Sequence, residues 1–174
     1  GDPKLHLTEC NLTLSGRSYI NDSVIRAAFI ASTAAQIFDK VELFGVWNAL
    51  DPYSEFSDTA AYLFGGNGIL TKTGIAKPVS FVLEFLSHLY KEMAEEKDGY
   101  LITSNGYKHY KLLVHHLVPM DTAYYLKEED QIPALGIEQM IKTNERKMIH
   151  VRIDDIPKGC WQIRRYCLNQ ESGS

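Results

Sequence analysis

The chain has 174 residues, 45% of them hydrophobic and 23% charged, with a formal net charge of −4. That length buries a real core as one domain or two small ones, and the apolar share excludes a disordered chain. The acidic balance argues against a nucleic-acid surface in this piece, and no apolar run approaches the length of a membrane span.

In chain order, Leu5–Thr8 reads as a short strand, and the stretch LHLTECN that contains it ends on Glu9, Cys10 and Asn11. Asn11–Asn21 is loop-like. Asp22 or Ser23 can cap the helix that follows, and its apolar residues from Val24 to Phe38 repeat on one face. The alanines on that face predict close packing against a sheet. Val41–Trp47 (VELFGVW) is a second strand, apolar enough to be buried on both faces. A long polar segment, Asn48–Thr73, holds Asp51, Glu55 and the run Gly65-Gly66-Asn67-Gly68, which reads as a turn rather than a phosphate cradle. Lys77-Pro78 then opens a helix, with proline in its first turn. The acidic run to Asp98 reads as the solvated end of that helix.

Strand, helix, strand, long loop, helix is the unit of a parallel α/β architecture. From Gly99 the pattern changes. Tyr100–Thr103 and Tyr110–His115 read as strands around an Asn105-Gly106 turn. Ala123–Leu126, Glu138–Thr143, Met148–Ile153 and Trp161–Leu168 are further candidates. The expected organisation is therefore residues 1–97 as βα units and 98–174 as an antiparallel β-domain. Trp161 is expected in the core of that domain. His115 and His116 point to opposite faces of a strand and read as structural.

The cysteines, Cys10, Cys160 and Cys167, are odd in number and form no CxxC pair, so neither a disulfide framework nor a zinc cluster is expected. Reduced thiols fit a cytoplasmic protein. Gly1-Asp2-Pro3 runs almost at once into strand-like sequence, which reads as a piece of a longer protein.

A glutamate ending a strand, with Trp47 ending the next, matches the way α/β barrels present catalytic groups at the C-terminal ends of strands. Taken alone, Glu9 is an ordinary solvated carboxylate and Trp47 a core residue. The surrounding stretches change this. LHLTECN, INDS before an alanine-rich helix, FGVWNALDPYSEF, LFGGNGILTKTGIAKP and FVLEFLSHL, in that order over residues 5–91, resemble the C-terminal part of glycoside hydrolase family 39, the β-xylosidases and α-iduronidases.

The resemblance implies the last two βα units of a (β/α)8 TIM barrel followed by an antiparallel β-sandwich-like domain. It implies Glu9 as the catalytic nucleophile at the end of barrel strand seven, with Trp47, Glu55 and Asn11 binding the sugar. Phe64 replaces a histidine of the family's loop motif, and Cys10 stands where the family usually has an aromatic residue. The ligand implied is a sugar or glycoside, with no cofactor and no metal. The family's acid/base belongs to strand four. The Asn-Glu pair found here, Asn144-Glu145, follows the nucleophile and reads as a turn. The chain is thus expected to carry one catalytic carboxylate of two and to be inactive in isolation. Its open sheet edge would pair with the missing N-terminal part of the barrel or with a second copy. INDS, the SEF after Asp51, LFGG and YYLKEEDQI are similar to a subset of such domains attached to AraC-type transcription regulators, where the same pocket would sense a sugar.

Overall fold

The computed structural model describes residues 3–51, 60–127, 132, 136–137, 140–141, 146–154 and 157–171. Strand β1 (His6–Cys10) leads through a 3-10 turn (Tyr19–Asp22) into helix α1 (Val24–Ile37), strand β2 (Leu43–Val46) and, after a long connection, helix α2 (Pro78–Ser87). Strands β3 (Glu92–Lys97), β4 (Tyr100–Ser104) and β5 (Tyr110–Val114) follow, then a one-turn helix α3 (Thr122–Tyr125).

β1 and β2 form a two-stranded parallel sheet, pairing His6 with Leu43, Leu7 with Phe44 and Cys10 with Val46. The register slips between Leu7 and Cys10. There the strands approach closely: a Cβ on Gly45 would stand 2.4 Å from the Thr8 carbonyl oxygen, so only glycine fits. Both helices cover one face of this pair. Ser23 caps α1, its side chain accepting from the Ile25 amide at 3.2 Å. Ala27, Ile30 and Ala31 of α1 meet Val79 and Val82 of α2 around Cys10, flanked by Leu7, Phe44 and Val46. Each fully buried Ile or Val in this layer contributes roughly 1.5–3 kcal/mol.

Four expectations change here. The acidic run is not a helix end. Residues Glu92–Lys97 form β3, an edge strand paired antiparallel with β4 from Glu92–Ser104 to Lys97–Tyr100. Exposed charges on an edge strand discourage pairing with other chains, so the sheet uses the charges that the helix reading assigned to solvent. Residues Ala123–Leu126 are not a strand, because Asp121 accepts from the Ala123 amide at 2.8 Å and caps α3. Residues 148–153 and 161–168 carry no strand, since alternation marks a face but supplies no pairing partner. Trp161 is half-exposed, its ring tilted against Tyr110 at 6.3 Å between centroids.

A β-sandwich is therefore not present among the described residues. The one antiparallel sheet, β3-β4-β5, buries its inner face on the helices instead: Leu101 and Leu113 pack on Ala35, Phe38, Leu86 and Leu89. The segment after β5 returns to the other end of α1, where Met120, Ile132, Ile137 and Met140 close over Ile20.

Candidate active site

In a parallel sheet the C-terminal ends of the strands share one side. Glu9 is the penultimate residue of β1 and is exposed. Among the described residues its carboxylate has no hydrogen-bond or ion-pair partner. Trp47 follows β2 directly and is 46% exposed. Its amide donates to the Cys10 carbonyl at 3.0 Å, which ties the tryptophan to the residue after Glu9. The Trp47–Asn48 peptide is cis. At the opposite end of the sheet, Glu42 pairs with Lys4 at 2.5 Å and His6 at 3.2 Å, so the charged partners lie away from Glu9.

Beside this rim lies the glycine-rich loop of residues 64–70. The main-chain ladder begins with the Asn48 amide on the Asn67 carbonyl at 2.9 Å and the Ile69 amide on the Asn48 carbonyl at 2.9 Å. Side chains complete the attachment. Asn11 donates to the Asn67 side-chain oxygen at 2.8 Å and to the Thr13 carbonyl at 3.0 Å. Asn21, fully buried, donates to the Gly65 carbonyl and to the same Asn67 oxygen, both at 2.8 Å, and accepts from Thr13 at 2.9 Å. Gly65 has φ +82°, and a Cβ there would lie 2.4 Å from the Ser18 carbonyl carbon, so the loop lies on the 3-10 turn only as glycine. Phe64, at the start of the loop, is buried.

Two buried cations lie beneath. Lys77, just before α2, reaches Asp22 at 2.6 Å, Asp51 at 2.5 Å and the Gly66 carbonyl at 2.8 Å, which satisfies all three ammonium hydrogens. Each carboxylate also accepts a loop amide, Asp22 from Gly65 and Asp51 from Gly68, both at 2.7 Å. Burial raises the Asp22 carboxyl above its ordinary range, against the opposing pull of Lys77. Arg26 projects from α1 to the carbonyls of Trp47 (2.8 Å), Asn67 (2.6 Å) and Gly68 (2.8 Å). Burial lowers its pKa to about 10, partly offset by Asp51 and Asp22, so the guanidinium stays charged at neutral pH. Burial likewise raises the Cys10 thiol, opposed by Arg26.

The structure thus brings Glu9, Trp47 and Asn11 to one end of the sheet. Asn11 faces the loop, with its amide engaged by Asn67 and Thr13. Glu55 lies outside the described residues, as do Asn144 and Glu145. Arg26 and Lys77 were not singled out as site residues from the sequence, although Arg26 interrupts an apolar stripe one turn before Ile30. No group of three or more His, Cys, Asp or Glu side chains able to hold a metal occurs among the described residues. All three cysteines are free. No helix among these residues is long and apolar enough to cross a membrane. A cavity of about 330 Å³ between the C-terminal ends of α1 and α2, lined by Phe38, Phe44, Leu83 and Leu86, lies away from Glu9.

No family model matches the sequence. The chain is 30% identical over 100 residues to the β-xylosidase of Geobacillus stearothermophilus, a match taking in 58% of this chain. It spans 20% of the length of that curated relative. In structure it is similar to the GH39 enzyme from Xanthomonas axonopodis pv. citri, with a TM-score of 0.52 and 25% identity, over 59% of this chain and 21% of that one. It is likewise similar to a GH39 β-xylosidase from Caulobacter crescentus, with a TM-score of 0.53 and 25% identity, over 59% of this chain and 24% of that one. These relatives point to glycoside hydrolase family 39, over part of the chain.

Proposed function

We propose that this chain supplies the nucleophile-bearing end of a retaining glycoside hydrolase of the β-xylosidase type. One observation carries the proposal: Glu9, an exposed carboxylate without a partner among the described residues, stands one residue before the end of a parallel strand, at the same end of the sheet as Trp47, which leaves the next strand and is linked through its amide to Cys10. The similarity to β-xylosidases supports it.

In the proposed reaction the ionised Glu9 attacks the anomeric carbon. The glycosidic C–O bond breaks, and the departing oxygen takes a proton from a second carboxylic acid roughly 5–5.5 Å away. The glycosyl ester on Glu9 is then hydrolysed by water, which that second group deprotonates. Trp47 offers an apolar face for the sugar ring. Glu55 is assigned to the sugar hydroxyls. Asn11 enters through the glycine-rich loop, which it braces against the rim. In this reading the second carboxylate lies on barrel strands outside these 174 residues, and the chain alone does not hydrolyse glycosides. Those strands would complete the (β/α)8 barrel by pairing with the free edge of the sheet.

The test is turnover of an aryl β-xyloside by the full-length polypeptide. Glu9→Ala is expected to lower kcat by at least about a thousandfold, as loss of a covalent nucleophile does. Normal turnover by the variant would remove Glu9 from the role. A second reading rests on INDS, LFGG and YYLKEEDQI: a sugar-sensing domain of an AraC-type regulator. Xylose binding by the full-length protein without any turnover selects it.

A further inference from the structure

Arg26 is the bulkiest fully buried side chain among the described residues. It stands in the first turn of α1, where the helix dipole disfavours a cation. A guanidinium held there against both burial and dipole needs strong acceptors. Those it has are main-chain carbonyls: Trp47, Asn67 and Gly68 within 2.8 Å, and Asn21 at 3.5 Å. The carboxylates that support its charge, Asp51 and Asp22, are paired with Lys77 instead. Arg26 therefore acts on backbone, and the backbone it holds belongs to the rim.

Trp47 is fixed on both sides. Its amide is held by the Cys10 carbonyl, and its own carbonyl by Arg26. The Asn67 carbonyl that Arg26 also takes receives the Asn48 amide, so the peptide after Trp47 is fixed through the same side chain. Glu9 is carried by β1, to whose backbone Arg26 makes no hydrogen bond among the described residues. We infer that Arg26 is a positioning residue, setting where the Trp47 indole stands relative to Glu9 from within the helical layer. Its consequence for sugar binding rests on the glycosidase reading; the placement of Trp47 does not.

The experiment uses the full chain with Trp161→Phe, which leaves Trp47 as its one tryptophan of two. Arg26→Lys and Arg26→Gln are compared with this parent by far-UV circular dichroism, Trp47 emission and acrylamide quenching. Both variants are expected to keep the parent's dichroism. Because Trp47 is already 46% exposed, its release raises the quenching constant by at most about twofold. Gln should approach that limit, and Lys, which keeps the charge and three donors, should recover part of the parent value. Unchanged emission and quenching in both folded variants would overturn the inference. So would loss of the dichroism signal in both, since Arg26 would then hold the fold rather than the tryptophan. Displacement of Trp47 in the variants, together with a full-length polypeptide that neither binds nor turns over xylosides, would retire the sugar reading and keep the positioning role.

Discussion

His115 follows the last residue of β5, and its amide returns to the Gly99 carbonyl at 2.9 Å. Its ring is buried, and Nε2 has no hydrogen-bond partner among the described residues. Burial lowers its proton affinity more than Asp98 and Glu96 raise it, while Lys147 and His116 lower it further. The folded imidazole therefore titrates below the ordinary 6.5. As pH falls through 6.5 towards that lower value, the unfolded chain takes up a proton that the folded chain refuses, so stability is lost on the acid side. His115→Leu removes this linkage and keeps an apolar occupant of similar reach. Urea midpoints at pH 8 and pH 5 should move closer together in the variant than in the parent. Parallel losses in the two proteins would show that His115 does not drive the acid limb.

At the scale of elements, the junction between the glycine-rich loop and α2 depends on Lys77. Its ammonium is shared between two carboxylates that each grip a loop amide. Lys77→Met strands both charges in the interior, and breaking such a pair costs about 3–5 kcal/mol. The triple variant Lys77→Met, Asp22→Asn, Asp51→Asn removes the three charges that meet at Lys77, leaves Arg26 without the support of the two carboxylates, and should recover part of that loss in urea denaturation. If the triple variant is as unstable as the single one, the cluster's role lies in its geometry rather than its charge balance. The two ends of this connection were legible to different degrees. Helix α1 was readable because Ser23 and the alanine stripe are local signals, and β2 because its run is apolar. β3 was not, since EMAEEK has no alternation and becomes a strand only through β4. Glu9 and Trp47 could be placed at one sheet end because parallel strands require it. Arg26 left a local trace as a charge on an apolar face. Lys77 left none, because its partners come from the turn before α1 and the loop before α2. That convergence exists only after folding.

For the molecule as a whole, surface is the governing quantity. The chain exposes 12100 Å². A compact monomer of 19.7 kDa exposes roughly 8600 Å². Much of that excess lies on the extended, almost wholly exposed segments 146–154 and 157–171. Part of its origin is visible in the parallel sheet: two strands, helices on one face only, and an unpaired outer edge on both β1 and β2 among the described residues. Leu5 and Leu43 stand exposed along it. The β3-β4-β5 sheet docks on the helices and leaves those edges uncovered. Parallel sheets are otherwise buried on both faces, and bare edges recruit further strands. The 174-residue chain by itself is therefore expected to associate, as a dimer through the β1 or β2 edge. Sedimentation equilibrium would show a mass above that of one chain. Leu5→Lys with Leu43→Lys, which places charge on that sheet, should shift the equilibrium towards monomer, while Leu112→Lys on β5 should leave it unchanged. A parent that sediments as a monomer would mean that the two bare strands are stable in water without a partner.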